Sequence, residues 1–287
     1  MRTPPKPPAE KCEFCGQERQ CVDTGRRWPK GDIIWDPPEP CDCPGAVEHR
    51  LQLKEAERQQ REEWERGRHI SRVKSLLKES KLPPRYQQAA FENARRTDAN
   101  KKAYARAFDY CKTIEASIAD ALDDSKYRYI GYDPEKIITV NRGLFITGPA
   151  SSGKTHLAGC IVNTLLEREV RCLFGNVLDL LGRVKNTYNN DRAETEDQVI
   201  DDLTAVPMLI IDDLGKEKVG SWTEQLLYHI INHRYEHLRP LIVTSNFTLT
   251  ELEGRYTETG PYIVSRLIEM CDGLKMTGDD WRKGRSR

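Results

Sequence analysis

A short stretch near the middle of the chain, GPASSGKT at residues 148–155, has the residue types and spacing of a phosphate-binding loop. Glycines let backbone N–H groups wrap a β-phosphate, Lys154 would reach the β- and γ-phosphates, and the Thr155 hydroxyl would ligate Mg²⁺. The pattern predicts a nucleoside triphosphate site, against the alternative of a chance match in an ordinary loop. The residues predicted to contact the nucleotide are Gly148, Pro149, Ala150, Ser151, Ser152, Gly153, Lys154, Thr155 and His156.

Two aspartates follow an apolar run in PMLIIDDLG and could hold the metal that such a loop requires. Asp212 is predicted to bind Mg²⁺ and Asp213 to polarise the attacking water. Two aspartates after a strand are, by themselves, also typical of a turn or a helix cap. Their position downstream of a phosphate loop favours the metal and water roles.

Three further polar residues lie on or directly after apolar elements. In RPLIVTSN, Ser245 and Asn246 follow a strand that would deliver them beside the γ-phosphate. In VSRLIEM, Arg266 lies on an apolar helix, where an arginine ordinarily extends to water. In an oligomer, the same arginine could reach the nucleotide of a neighbouring subunit and stabilise the transferred charge.

Five of the nine cysteines lie near the N-terminus. Cys12 and Cys15 form one close pair and Cys41 and Cys43 another, a spacing that suits tetrahedral Zn²⁺. Such a metal would stabilise a segment too short for a core of its own. A redox pair and unliganded thiols are the alternatives, and Cys21 is either a spare thiol or a substitute ligand. The other four, expected to be small core residues, are Cys111, Cys160, Cys172 and Cys271.

The elements that would position these residues alternate between strands and helices. The runs GLFIT, RCLFGN, PMLIID, PLIVTSN and DGLKMTG are strand-like and are separated by helical stretches, which predicts a parallel sheet covered on both faces. One helix is predicted to begin with a capping box of Ser221 and Glu224. Its expected apolar stripe is Trp222, Leu226, Leu227, Ile230 and Ile231. An earlier amphipathic helix is expected to bury Tyr104, Ala107, Phe108, Cys111, Ile114 and Ile118.

The order of these motifs resembles that of the AAA+ ATPases of the DnaC/DnaI helicase-loader and IstB group. The resemblance covers residues 80–284 and includes SKLPPRYQQAAFEN, LIIDDLG, RYEHLRPLIVTSN and YIVSRLIEMCDGLKMTGDDWR. It implies a P-loop AAA+ three-layer α/β sandwich, ATP hydrolysis in a ring or spiral homo-oligomer, Asn246 as the sensor 1 residue and Arg266 as an arginine finger acting in trans. Asp213 stands where most AAA+ proteins have Glu, and no C-terminal lid domain is expected.

A zinc module ahead of this core is similar to DnaI-type and phage-type loaders, in which the N-terminal part docks on the replicative helicase. The resemblance therefore implies a loader of a ring helicase onto single-stranded DNA. One alternative is an IstB-like transposition helper acting on duplex DNA, although the zinc module argues against it because IstB-type proteins have no such module. Another is an interaction protein whose assembly is switched by ATP.

The domain organisation expected from composition has four segments. Residues 1–11 form a disordered tail, 12–46 the zinc-binding module, 47–82 a charged helical linker and 83–287 the AAA+ ATPase domain. The formal net charge is zero, so any contact with nucleic acid must be local. No apolar run is long enough for a membrane span and no signal peptide is evident, so a cytoplasmic protein without membrane contact is expected.

Three weaker signals concern other surfaces. His229, His233 and His237 recur every four residues and could present a metal, although a half-buried or solvated face is the preferred interpretation. Arg183, Lys185 and Tyr188 occupy a segment that, in the family, faces single-stranded DNA, and an ordinary polar helix end is the alternative. The basic residues of 281–287 could contact phosphate or be disordered.

Overall fold

The structure is a computed structural model that describes residues 6–27, 33–122, 142–187 and 195–277. The chain divides into two compact units, Met1–Ile70 and Ser71–Arg287. The boundary falls inside a long helix, so it differs from each of the limits predicted from composition.

The first unit contains two small antiparallel sheets. Strand β1 (Glu10–Lys11) pairs with β2 (Glu18–Arg19), and β3 (Val22–Arg27) pairs with β4 (Ile33–Asp36). The buried cluster of this unit is made of Cys12, Cys41 and Ala46, with Cys43 packed against it. The predicted disordered tail therefore extends too far, because Glu10 and Lys11 hydrogen-bond into a strand pair.

Helix α1 (Pro44–Glu79) follows as one continuous element of 36 residues. Proline is compatible with the first turn of a helix, which explains a start three residues before the predicted Val47. Most of its side chains are exposed, and ion pairs such as Arg58 with Glu55 at 2.7 Å and with Glu62 at 3.8 Å run along it. The prediction of a solvated charged helix is confirmed.

The second unit is built on a five-stranded sheet with the order β6-β7-β8-β5-β9. Every neighbouring pair in this sheet is parallel. The strands are β5 (Gly143–Thr147), β6 (Cys172–Asn176), β7 (Met208–Leu214), β8 (Leu241–Ser245) and β9 (Cys271–Lys275). The helices are α2 (Lys101–Leu122), α3 (Lys154–Glu167), α4 (Val177–Thr187), α5 (Glu196–Ala205), α6 (Ser221–Glu236), α7 (Leu249–Arg255) and α8 (Gly260–Met270).

Alternate strand residues pack into two different hydrophobic layers. Leu144 and Ile146 of β5 join the cluster that contains α2 and α3, whereas Phe145 joins the cluster under α4 to α8. This alternation is the period of a strand buried on both faces. The predicted three-layer sandwich with a parallel sheet is confirmed, and so is the burial of the four scattered cysteines.

The predicted capping box of α6 is wrong. The residue preceding the helix is Gly220, and no side chain caps the helix. Glu224 is buried, and its carboxylate accepts hydrogen bonds from the backbone N–H groups of Thr257, Glu258 and Thr259 at 3.2, 2.8 and 3.0 Å. Burial disfavours its charged form, but these hydrogen bonds outweigh burial and lower the pKa of Glu224. A contact between Glu224 and a distant segment of the chain has thus taken the place of the predicted capping box.

Two aromatic residues assigned to buried stripes are also exposed. Trp222 is 39% exposed on α6, although the four aliphatic residues of the stripe are buried. Phe108 on α2 is 37% exposed, while Tyr104, Ala107, Cys111 and Ile114 are buried. The side chain of Ile118 lies outside the described residues. The helical period was sufficient to find the buried face but too coarse to fix the residues at its edge.

Candidate functional site at the carboxyl edge of the sheet

The phosphate loop connects the end of β5 to the first turn of α3. Gly148 is required by a close approach, because a Cβ there would lie 2.1 Å from the carbonyl oxygen of Met276. Gly153 has φ of 94° and Ser151 has φ of 64°, so the backbone turns sharply twice before the helix begins. This course presents the first N–H groups of α3 at the sheet edge, where an anion can be bound.

Lys154 lies at the centre of the loop and is buried. Its Nζ donates to the carbonyl oxygens of Gly148 at 2.9 Å and Pro149 at 2.8 Å, and to Oδ1 of Asn246 at 2.7 Å. Burial lowers the pKa of Lys154. The structure thus joins two residues predicted from separate motifs, since the ammonium group and the Asn246 amide are in direct contact.

Thr155 and Asp212 form the second part of the site. The Thr155 hydroxyl is 3.0 and 3.2 Å from the two carboxylate oxygens of Asp212, and Thr244 donates to Oδ1 at 2.5 Å. Burial raises the pKa of Asp212, and the hydrogen bonds from the two threonines act in the opposite direction. A hydroxyl and a carboxylate at the edge of the sheet are hard oxygen donors, so these residues fit a Mg²⁺ ion.

Asp213 differs from Asp212 in conformation and exposure. Its φ is 60°, at a point where the register between β7 and β8 shifts. Its backbone N–H donates to the Thr244 hydroxyl at 2.9 Å, and its carboxylate is 2.7 Å from Nζ of Lys216. The side chain is half-buried and therefore accessible to a water molecule, as a water-polarising group must be.

Thr244 was not identified from the sequence. It is fully buried on β8, and one hydroxyl contacts both aspartates. The available signal was its place in VTSN, two residues before Asn246, at a strand position where an aliphatic residue would be expected. Recognising its role required the register of β8 against β7, which is a tertiary property.

A cleft of about 430 Å³ opens beside the aspartates. Thr155, Asp212, Asp213 and Lys216 line one end of it. The other lining residues include Lys81, Tyr86, Asn176, Asp179 and Arg183. The cleft is therefore continuous with the predicted metal site and reaches the start of α4.

The opposite side of the phosphate loop rests on residues that the sequence motifs did not include. The Tyr104 hydroxyl lies 3.2 Å from Nδ1 of His156, and the Cys160 thiol lies 3.6 Å from the same nitrogen. Burial lowers the pKa of His156. The imidazole, predicted to contact the nucleotide, is thus held by α2 and by the next turn of α3.

Arg266 does not join the phosphate loop of its own chain. In the described part of the chain its Nε donates to Oδ1 of Asn232 at 3.0 Å, and the guanidinium carbon lies 4.3 Å from the centre of the Tyr235 ring. Nη1 is 4.0 Å from a carboxylate oxygen of Glu269. These contacts place the arginine between α6 and α8, with its side chain 30% exposed.

The cysteine cluster lies in the first unit. The Sγ atoms of Cys12, Cys15, Cys41 and Cys43 are all within 4.8 Å of one another, with 3.8 Å between Cys12 and Cys43 and 3.5 Å between Cys15 and Cys41. A tetrahedron of Zn–S bonds of about 2.3 Å separates its sulfur atoms by about 3.8 Å. Cys21 is outside this cluster.

The chemistry of the cluster also fits a metal. Hydrogen bonds from the backbone N–H groups of Phe14 and Cys15 lower the pKa of Cys12 to about 6, whereas burial and contact with the neighbouring thiols raise the pKa of Cys15 to about 12 and also raise the pKa of Cys43. A thiolate is the form that binds zinc. Four sulfur donors at these separations match the donor set of a structural Zn²⁺ site.

The weaker sequence signals have different outcomes. His233 and His237 stack with ring centres 4.0 Å apart, and His229 and His237 are exposed, so the preferred interpretation of a half-buried or solvated face is confirmed. Among the described residues, the metal-type cluster found is that of the four cysteines.

Arg183 is 3.4 Å from a carboxylate oxygen of Asp202 and Lys185 is exposed. Tyr188 and residues 281–287 lie outside the described residues. No helix in the described ranges has the length and apolar character to cross a membrane.

Comparison with known proteins extends these observations. The replicative helicase loader DnaC of Escherichia coli K12 is 24% identical over 189 residues, which are 66% of this chain and 67% of that protein. The replicative helicase loader DnaI of Bacillus subtilis 168 is 27% identical over 151 residues, which are 49% of this chain and 48% of that protein.

Two solved structures show the same fold. The crystal structure of the DnaC helicase loader has a TM-score of 0.52 and 22% identity, covering 68% of this chain and 100% of that one. The crystal structure of DnaI has a TM-score of 0.53 and 23% identity, covering 69% and 95%. Residues 133–287, more than half of the chain, match the family described as IstB-like ATP binding protein. Since that match contains the phosphate loop and both aspartates, the chain belongs to the IstB-like ATP binding protein family.

Proposed function

We propose that this protein is a Mg²⁺-dependent ATPase that loads a replicative ring helicase onto single-stranded DNA. The observation that carries the proposal is the presence, in one chain, of a complete phosphate site and a separate cluster of four cysteines. Relatives named as replicative helicase loaders, DnaC and DnaI, support the choice among the functions open to this family.

The residues of the strand-edge site have distinct roles in this proposal. Lys154 would exchange its carbonyl partners for the β- and γ-phosphates, and Asn246, already in contact with its Nζ, would orient it toward the γ-phosphate. Thr155 and Asp212 would hold Mg²⁺, which neutralises charge on the phosphate oxygens when bound. Asp213 would accept a proton from the attacking water after its carboxylate leaves Lys216.

Arg266 would act on the nucleotide of a neighbouring copy. Support comes from its position on α8, where it contacts α6 and none of the described phosphate-loop residues. The proposal therefore includes a homo-oligomer in ring or spiral form, in which hydrolysis requires a pair of subunits.

The first unit would bind Zn²⁺ through Cys12, Cys15, Cys41 and Cys43 and would dock on the helicase. The segment 12–46 would form this module and 47–82 the linker to an ATPase domain at 83–287. Helix α1 (Pro44–Glu79) supports a linker of this kind, because it is long, charged and mostly exposed.

The loading activity can be tested with the purified chain, the replicative helicase of the same source and circular single-stranded DNA carrying an annealed strand. Strand displacement that depends on the chain and on ATP would support the proposal, with Lys154→Ala as the inactive control. Displacement at the same rate without the chain, or no co-purification of the helicase with the full-length protein, would contradict it.

Two other functions have support and predict different results. The family match favours an IstB-like transposition helper, which would hydrolyse ATP faster with duplex than with single-stranded DNA. An ATP-switched interaction protein would bind ATP and assemble, yet show the same slow hydrolysis with either DNA. Rates of ATP hydrolysis measured without DNA, with single-stranded DNA and with duplex DNA distinguish the three candidate functions.

The action of Arg266 in trans can be tested by mixing variants. Arg266→Ala subunits should bind ATP yet hydrolyse it about 10³-fold more slowly, and Asp213→Asn subunits should also be inactive. A mixture should recover activity, because an intact Arg266 from the second variant completes the site of the first. Persistent inactivity in mixed oligomers shown to form would contradict this role.

A further inference from the structure

The two arginines associated with helix α6 use their guanidinium groups differently. Arg234 is fully buried, and its two Nη atoms donate to five carbonyl oxygens, those of Leu203, Thr204, Val206, Pro207 and Pro240. Arg266, which reaches α6 from α8, hydrogen-bonds through Nε alone among the described residues. The first arginine has its outer edge hydrogen-bonded by the protein, whereas the second has no hydrogen bond at that edge among the described residues and has Glu269 at 4.0 Å from Nη1.

Asn232 and Tyr235 fix the inner side of Arg266. The Asn232 amide oxygen accepts from Nε at 3.0 Å, and the guanidinium carbon lies over the Tyr235 ring, 4.3 Å from its centre. The hydrogen bond from Nε to Asn232 restricts the direction of the guanidinium group, and the contact with the Tyr235 ring restricts its tilt. Together they limit rotation of the long arginine side chain. Both residues lie one turn apart on α6.

The two supporting residues are themselves held by hydrogen bonds. The Tyr235 hydroxyl donates to Glu269 at 2.5 Å, and the Asn232 amide nitrogen donates to Glu236 at 2.8 Å. Glu269 lies at 4.0 Å from Nη1 of Arg266, beyond the distance of a strong hydrogen-bonded pair. Its closer partner is Tyr235, so the acid secures the ring more than it neutralises the arginine.

We propose that Asn232 and Tyr235 are positioning residues for Arg266, which hold its Nη edge toward the γ-phosphate of a nucleotide bound to a second copy of this chain. The inference rests on the proposed function, in which Arg266 acts in trans. A finger held in advance loses less conformational entropy on reaching the phosphate than a freely rotating one, and small misplacement of a catalytic group can cost about 10²-fold in rate.

The test replaces the ring and measures hydrolysis at saturating ATP and DNA. Tyr235→Leu should lower the rate by about 10²-fold while the affinity for ATP stays at the parent value. Tyr235→Phe keeps the ring beside the guanidinium but loses the hydrogen bond to Glu269, so its rate should fall between those of the parent and of Tyr235→Leu. Tyr228→Leu is the matched control, because Tyr228 is a partly buried tyrosine of the same helix that packs against Tyr262 instead.

Mixing experiments separate a positioning role from a folding defect. Tyr235→Leu subunits should regain hydrolysis when mixed with Asp213→Asn subunits, which supply an intact finger. They should not regain it with Arg266→Ala subunits, because both members of that pair lack a competent finger. A subunit with a damaged nucleotide site but a working finger would give the reverse pattern, with activity restored by Arg266→Ala subunits, whose site it completes, and none restored by Asp213→Asn subunits.

The outcomes distinguish this inference from the proposed function. Parent-like hydrolysis by Tyr235→Leu, alongside an inactive Arg266→Ala, would overturn the positioning role and leave the finger intact. Parent-like hydrolysis by Arg266→Ala would overturn the finger itself. If Tyr235→Leu fails to fold, as judged by its melting transition, Asn232→Ala decides the matter: a slow enzyme rescued by Asp213→Asn supports positioning, and a parent-like rate overturns it.

Discussion

The phosphate site is carried by five parallel strands between two hydrophobic layers, whereas the cysteine cluster is carried by short strands and loops around three buried residues. In the first case, the positions of Lys154 and Asp212 follow from a core that folds regardless of what binds at its edge. In the unit that carries the cysteine cluster, the cysteines themselves make up most of the buried core. Removal of the bound ligand should therefore unfold the first unit and leave the second unit folded.

The two sites also differ in how their charged groups are compensated. Lys154 is held by two carbonyl oxygens and the Asn246 amide, and Asp212 by hydroxyl groups, so both charged groups are hydrogen-bonded within their own chain. In the cysteine cluster, the sulfur atoms mostly contact one another. Four thiolates cannot remain close together without a cation. The second unit is thus expected to be stable without ligand and the first to need one.

Zinc removal should give the largest effect and tests this difference directly. We expect one Zn²⁺ per chain, and chelation or Cys41→Ser should unfold the first unit, because structural zinc contributes on the order of 10 kcal/mol to such modules. Elemental analysis and amide hydrogen exchange of each unit measure it. Cys21→Ser, which alters a cysteine outside the cluster, should retain the metal. Protein purified without chelators and found to contain no zinc would refute the assignment.

Lys154→Ala should have the next largest effect. The change removes the ammonium group from the phosphates, so hydrolysis should fall by at least about 10³-fold while the melting temperature of the second unit changes little. Lys102→Ala, on the exposed face of α2, is the control and should hydrolyse ATP normally. Hydrolysis by Lys154→Ala at the parent rate would show that the loop does not bind the nucleotide.

Arg234→Met should destabilise the second unit by about 3 kcal/mol without ligand involvement, because it leaves five carbonyl oxygens without their shared donor. Burial lowers the pKa of Arg234 to about 9, still above neutrality, so carbonyl dipoles compensate a charged guanidinium. Urea unfolding followed by fluorescence measures the loss. Arg239→Met is the comparison variant, since Arg239 is less buried and its guanidinium donates to the Ala205 carbonyl. Equal stability of the Arg234 variant and parent would contradict this account.

Thr244→Val should have the smallest effect. The substitution keeps the shape but removes the hydroxyl that contacts Asp212 and the Asp213 backbone, so hydrolysis or Mg²⁺ affinity should fall about 10- to 100-fold. Titration of the rate with Mg²⁺ separates the two. Thr204→Val, at another buried threonine whose hydroxyl bonds within α5, should leave the Mg²⁺ dependence unchanged. A Thr244 variant with parent kinetics would mean that the hydroxyl serves the fold alone.

The sequence was most informative where function depends on neighbours in the chain. The phosphate loop and the paired aspartates are contiguous motifs, and strand–loop–helix order was enough to place them at one sheet edge. The covering of both faces of the sheet was likewise predicted from apolar strand runs separated by helical stretches. Such features depend on short-range patterns that sequence displays directly.

The missed residues depend on contacts between distant segments. Thr244 matters through the register of β8 against β7, and Tyr235 through the packing of α6 against α8. The prediction for Glu224 was wrong for the same reason. Its carboxylate accepts hydrogen bonds from the backbone N–H groups of Glu258 and Thr259 and does not cap its own helix. Neither strand register nor helix pairing is encoded in local spacing.

The contact between Gly148 and Met276 has a consequence for synthesis of the chain. Thr147 accepts a hydrogen bond from the Met276 backbone at 2.7 Å, and β5 pairs with β8 and β9, both of which follow it by many residues. On the ribosome, the phosphate loop would emerge long before the strands that flank it. Its final shape, and with it the ability to hold ATP, must wait until β9 has been translated and inserted. A nascent chain halted before Met276 should therefore carry the whole motif and bind no nucleotide.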